Sequence, residues 1–252
     1  MIREPSGSVR GGVGRLFLSF CRLATTALVL AIVAPASAGA QAATPPAQPN
    51  IAYIQQIGDL SEITLSQQGA GHNAAVLQDG NQNAAALVQQ GKGHTAEVAQ
   101  GPGSLNTAEL SQSGAVGNTA EILQQGNSNE VFAGQDSLLA GTGGNAIVFA
   151  QQGDGNFAIA AQTGNLNSAD LIQAGNGNLA GVVQNGQDNN AVLAQNGNNN
   201  EAIQTQIGNG LSSQITQEND NNFAATEQVG NNLPPLVIHQ TGGQSVTVSV
   251  KQ

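Results

Sequence analysis

Tryptophan is absent from the 252-residue chain, aromatic residues make up only 3% of it and charged residues only 9%. An ordinary globular domain carries about 25% charged residues and a mixed aromatic core, so these shortages argue against a conventional enzyme fold. Positive charge is scarcer still. Of six Lys and Arg, four (Arg3, Arg10, Arg15, Arg22) precede residue 23, and from residue 39 onward Lys92 and Lys251 stand against 15 acids, a balance of −13. Such a surface repels a polyanion, which excludes nucleic acid as a partner by charge. What fills the chain instead is amide: 30 Gln and 27 Asn, nearly all beyond position 50.

No hydrophobic run is long enough to span a bilayer. The longest, Leu23–Val33, has eleven residues and at ~1.5 Å rise falls short of a ~30 Å hydrocarbon core. It follows a basic segment, Met1–Arg22, and precedes Pro35 and the small-residue sites Ala36-Ser37-Ala38 and Ala38-Gly39-Ala40. That order predicts a secretory signal peptide over 1–38, with cleavage after Ala38 or Ala40. The single cysteine, Cys21, leaves with it. An exported chain without disulfides must be stabilised by other means. Residues 39–55, rich in Ala, Pro and Gln, read as a leader.

From residue 56 to 252 one short unit repeats. Gln56, Gln67, Gln78, Gln89, Gln100, Gln112, Gln124 and Gln135 lead, after a longer gap, to Gln151, Gln162, Gln173, Gln184, Gln195, Gln206, Gln217, Gln228, Gln240 and Gln252. Of the 17 intervals, twelve are eleven residues, four are twelve and one is sixteen. A fixed period of this kind decides the architecture before any local reading does. Aligned on each Gln, the unit reads N-x-A-x-Φ-x-Q-x-G-x-x, with Asn83, Asn156, Asn167, Asn178, Asn189 and Asn200 among the Asn positions. Asn, Ala, Φ and Gln alternate with period two, which puts all four on one side of a strand. An eleven-residue repeat also suits a right-handed coiled coil, but the Gly and Asn in every unit oppose helix and supply turns.

Each unit is thus a strand and a turn, too little to bury a face alone. Two units, 22 residues, make one flattened coil with Ala and Φ inside. Stacked coils give an all-β, parallel, two-sided solenoid of eight to nine coils, with Gln on Gln and Asn on Asn as in amyloid-forming cross-β stacks. The sixteen-residue gap predicts an insertion near 136–144. Pro234-Pro235 predicts a weak or displaced strand, because proline removes ladder donors.

The repeat resembles the curlin repeat of bacterial curli fibres, Q-x-G-x-x-N-x-A-x-x-x-Q. Gln162-x-Gly164-x-x-Asn167-x-Ala169-x-x-x-Gln173 fits throughout, as do the units starting at Gln78, Gln151, Gln173, Gln184 and Gln195. The resemblance implies a secreted, pilus-like functional amyloid subunit, major or nucleating, that supports cell adhesion and biofilm matrix. It implies three partners: further copies of itself, a related curlin nucleator or major subunit, and an outer-membrane secretion pore with its accessory factors. The leader, Ala/Pro-rich rather than Gly/Asn-rich, and the larger number of units depart from the family pattern.

Catalytic chemistry finds little support. The acids are scattered singly, so no paired-carboxylate site emerges, and Gly141–Gly144 is not followed by the G-K-[ST] of a phosphate loop. No cofactor motif is present. His72 and His94 occupy Asn positions 22 residues apart and stack on adjacent coils, a weak candidate metal pair against the usual three or four ligands. Two other readings compete with the fibre subunit: a monomeric solenoid binding a polysaccharide or other flat ligand along one face, and a β-helical polysaccharide-cleaving enzyme. The short coils and unclustered acids disfavour the latter.

Overall fold

The computed structural model describes residues 48–139 and 143–252, together with the backbone of Val29–Leu30. Apart from Val29–Leu30, the expected signal peptide lies outside the described residues, as does the leader up to residue 47. Among the described residues there are nineteen strands and no helix. They form two sheets whose neighbours alternate in sequence. Sheet A, ten strands, runs from Val29–Leu30 and Ile51–Ile57 to Leu236–Thr241; sheet B, nine strands, runs from Glu62–Ala70 to Ser245–Lys251. Apart from the two-residue antiparallel pairing of Val29–Leu30 with Tyr53 and Ala52, every pairing is parallel. Leaving that short strand aside, nine coils of one A strand and one B strand stack into a solenoid of roughly 40 Å at ~4.8 Å per rung.

The register follows the repeat. Gln173 sits on Gln195, Leu171 on Leu193 and Ala169 on Ala191 in sheet A, while Gln162, Ala160 and Ala158 sit on Gln184, Val182 and Ala180 in sheet B. The alternation buries every second residue, as in Ser168–Ala174 with its strict intermediate-buried pattern. Ala and the apolar residue meet their counterparts from the opposite sheet, in a core where Ala74, Val76, Leu87, Ile122, Leu171 and Leu193 are among the residues buried almost completely. Alanine in one of the two apolar positions leaves the sheets close enough for the Gln side chains to reach across.

The glycine two places after most ladder Gln residues, all but Gln100, Gln135 and Gln217 of those before Gln252, has a steric origin. At Gly186 the backbone has φ +135, and a Cβ there would lie 1.8 Å from the carbonyl oxygen of Gly208 on the next coil. An L side chain is excluded twice, by conformation and by the stacked carbonyl.

Three features refine the sequence reading. The strand Ile51–Ile57 pairs in full register with Asn73 onward, so the first rung takes in the last five residues of the segment assigned to the leader. The long connection lies between strands Glu130–Ser137 and Ala146–Gln152, with Asp136 and Ser137 still in the strand. At the C-terminus Val250, not Gln252, stands beside Gln228. The turn after Gln240 is short, so the last unit reaches its ladder position early and fills it with valine. Pro234-Pro235 immediately precede the six-residue strand Leu236–Thr241, whose pairing starts at Leu236.

Candidate functional site: amide ladders and open ends

The interior amides form two kinds of ladder. In sheet A, Gln78, Gln100, Gln151, Gln173 and Gln195 belong to one column; in sheet B, Gln67, Gln89, Gln162, Gln184 and Gln206 belong to the other. Each Gln uses both amide hydrogens. Gln173 Nε2 donates to Gln195 Oε1 at 2.9 Å along the axis and to the Phe157 carbonyl of the opposite sheet at 3.0 Å. Gln184 does the same with Gln206 Oε1 at 2.8 Å and the Ser168 carbonyl at 2.9 Å. The second bond ties the two sheets together at the strand entry, where the carbonyl accepts it on one of its two lone pairs.

The asparagines hold the turns. Asn178 donates its backbone N–H and its Nδ2 to Asn156 Oδ1 at 3.1 and 3.0 Å, and Nδ2 also to the Gly197 carbonyl at 2.8 Å. Asn83, Asn156, Asn178 and Asn200 stand in the column before sheet B, while Asn167 and Asn189 stand in the column before sheet A. The Gln ladder donates toward the C-terminal end and the Asn ladder toward the N-terminal end, so their amide dipoles oppose along the axis.

His72 and His94 take Asn positions and copy the Asn bonds. The rings stack with centroids 5.1 Å apart and planes within 3°. His94 N–H donates to His72 Nδ1 at 3.3 Å and Asn118 N–H to His94 Nδ1 at 3.0 Å. Nε2 of each ring faces a carbonyl, Gln68 at 3.1 Å and Gln90 at 2.8 Å. That network assigns both rings as the neutral Nε2–H tautomer. In that tautomer each Nδ1 accepts a backbone N–H and each Nε2 donates to a carbonyl, so both ring nitrogens are engaged within the fold. Among the described residues no group of three or more His, Cys, Asp or Glu converges.

A third ladder lies on the surface. Backbone N–H groups of Asn127, Asp154, Asn176 and Asn198 donate to side-chain oxygens of Asp154, Asn176, Asn198 and Asp220 at 2.7–2.9 Å. The signal was in the sequence: Asn or Asp recurs three places after every sheet A Gln from Gln124 to Gln217.

Among the described residues both ends of the solenoid leave core positions uncovered, and only Val29–Leu30 pairs with the first strand, at Tyr53 and Ala52. Ile54 occupies a core position yet is 45% exposed, and Ile63, Leu65, Val246 and Val248 are only partly covered. Gln56 turns its amide to the Ser61 carbonyl instead of Gln78, whose Oε1 is left without a partner. No curated protein matches the chain. Residues 145–175, the coil in which the ladder resumes after the insertion and the strand that follows it, match the family model of the curlin associated repeat, and the chain is therefore similar there to the structural proteins that carry that repeat.

Proposed function

We infer that this chain is a secreted structural subunit that stacks end to end into amyloid-type fibres at the cell surface, where the fibres support adhesion and biofilm matrix. One observation carries the reading: among the described residues the nine-coil parallel solenoid has no cap at its C-terminal end and, beyond the two-residue pairing of Val29–Leu30 that lies in the expected signal peptide, none at its N-terminal end, so each end presents the edge that every internal coil satisfies with the next coil. Unpaired strand edges of this kind recruit further strands unless blocked. The N-terminal segment serves as the export signal. Passage through an outer-membrane pore and initiation on a related nucleating subunit complete the route. Incubating the purified secreted chain should give amyloid-dye fluorescence, unbranched fibres by electron microscopy and a fibre reflection near ~4.8 Å. Persistent monodisperse monomer would overturn the reading and favour a solenoid that binds a flat ligand along one face.

A further inference from the structure

Resting on that fibre reading, we propose that each chain meets the next copy in the repeat's own register, Gln240 against Gln56 and Val250 against Gln67. Sheet A's glutamine ladder then runs through the joint, whereas sheet B's is interrupted once per chain, at Val250. The register is fixed by the columns already formed within the chain. Gln217 pairs with Gln240 and Gln56 with Gln78, while Gln228 pairs with Val250 and Gln67 with Gln89. In sheet A the chemistry matches. Gln240 Nε2 turns its spare hydrogen back to the Gln244 carbonyl at 3.1 Å, where an internal Gln would donate to the next Oε1. In sheet B it does not match: the Oε1 of an incoming Gln67 finds a valine methyl.

Apolar residues offset part of that loss. Leu236, Ile238, Val246 and Val248 at one end face Ala52, Ile54, Ile63 and Leu65 at the other, closing both open ends of the core. No carboxylate meets a carboxylate in this register, since Glu62 falls against Ser245. The joint is therefore apolar, lacks both sheet B's glutamine ladder and the asparagine column that ends at Leu211, and is the weakest rung of the fibre and the place where it breaks. Its partner is a second copy of this chain.

Two measurements test the proposal. In a Cys21→Ser background, Val250→Cys with Gln67→Cys places two cysteine Cα atoms about 4.8 Å apart across the joint, within the Cα range of a disulfide. Oxidised fibres should then give a ladder of covalent multimers on a non-reducing gel, and Val250→Cys with Gln56→Cys, on opposite sheets, should not. Equal cross-linking in both pairs, or in the control alone, overturns the register. Separately, Val250→Gln supplies the missing amide and should lower the critical concentration for fibres about fivefold, the equivalent of one hydrogen bond of ~1 kcal/mol. Gln240→Val should raise it by a similar factor. If wild-type chain makes no fibres, the fibre reading falls and the joint with it. If fibres form normally but Val250→Gln leaves the critical concentration unchanged or raises it, the joint proposal alone falls.

Discussion

The coils between residues 145 and 203 and those from 204 to the C-terminus share one backbone and differ in what fills it. In the first set the inward positions are complete: Ala158, Ala169, Ala180 and Ala191, with Leu171, Val182 and Leu193, are all buried, and every ladder amide has its partners. In the second, Gln204 and Thr226 replace the apolar residue and Ser213 replaces the alanine. Leu211 ends an asparagine column, and Pro234-Pro235 interrupt the entry to a strand. Two of these leave buried atoms without partners, Gln204 Oε1 and Thr226 Oγ1. Yet Glu201–Asn209 pairs residue for residue with the strands on both sides. Register is thus imposed by neighbouring rungs and survives side-chain defects, while stability is set rung by rung.

Glycine substitutions should separate the regions most sharply. Gly186→Ala forces a Cβ into the Gly208 carbonyl at φ +135 and should cost about 4 kcal/mol. Gly243→Ala, at φ +63 with nothing within 4 Å, should cost only ~1 kcal/mol. Denaturant unfolding followed by circular dichroism measures both, and equal losses would mean that carbonyl stacking does not restrict these turns.

The ladders give the next largest effect. Gln173→Ala with Gln195→Ala strands the axial hydrogen of Gln151 Nε2 and the Gln217 Oε1, and removes the cross-sheet bonds to the Phe157 and Leu179 carbonyls. With buried orphans costing ~1–3 kcal/mol each and partial repair by water, about 3 kcal/mol should be lost and fibre formation slowed. In the C-terminal coils the sign reverses. Gln204→Leu with Thr226→Val removes two unpartnered buried atoms at the expense of one bond, Gln204 Nε2 to the Val192 carbonyl at 3.0 Å, and should gain ~1–2 kcal/mol. A loss there would show that a bound water satisfies those atoms.

Stacking makes this fold unusually legible from sequence, because one residue's neighbour is its own counterpart 22 places on. The glutamine columns, the two-sided coil and the Gln204 and Thr226 exceptions are all readable from spacing. The ends are not. Ile51–Ile57 belongs to the solenoid although Pro, Ala and Gln precede it, and pairing to Asn73 onward decides that, not local composition. Gln252 fits the period, yet the short turn at Gly242-Gly243 brings Val250 into the column. Spacing also places His72 beside His94 but says nothing of their ring nitrogens. Only the backbone N–H groups of the next rungs show that each Nδ1 is already an acceptor.

Those histidines set the N-terminal coils apart from the asparagine-lined centre by pH. Burial holds His94 below its ordinary value of 6.5, the Gln90 carbonyl opposes this, and a charge on His72 adds to it. A depressed histidine favours the neutral ring in the fold, so its contribution is full above the unfolded value and is lost as pH falls through 6.5 toward the folded one. Protonating His94 Nδ1 also removes the bond it accepts from Asn118 N–H, ~1 kcal/mol. The melting temperature of the wild type should therefore drop between pH 7 and pH 5. In His72→Asn with His94→Asn, which restores the consensus ladder, that drop should largely vanish. An identical pH response in both proteins would locate the sensitivity elsewhere.

The smallest effect concerns charge on the outer face of sheet A, where coils 3 and 4 place Glu97 directly against Glu121 and the later coils place Val192 against Gln214. Partial burial raises Glu121 above its ordinary value of 4.5 and the charge on Glu97 raises it further, while burial alone raises Asp170. For a carboxyl raised in the fold the sign is opposite to that of His94. The ionised form is penalised above the folded value, and the penalty is relieved as pH falls through that value toward the unfolded one. Glu97→Gln with Glu121→Gln should therefore stabilise the chain at pH 7 by about 0.5 kcal/mol, the scale of an exposed like-charge cross-strand pair. Salt should have the same effect on the wild type by screening over ~10 Å at 0.1 M. With 15 acids against two bases beyond residue 39, repulsion between incoming subunits has the same origin. The fibre lag should then shorten toward pH 4 and with added salt, and the double variant should show a weaker salt dependence. A lag that lengthens on acidification and ignores salt would mean that charge does not hold the monomers apart, and would leave the unsatisfied rungs at Gln204, Thr226 and Val250 as the brake on assembly.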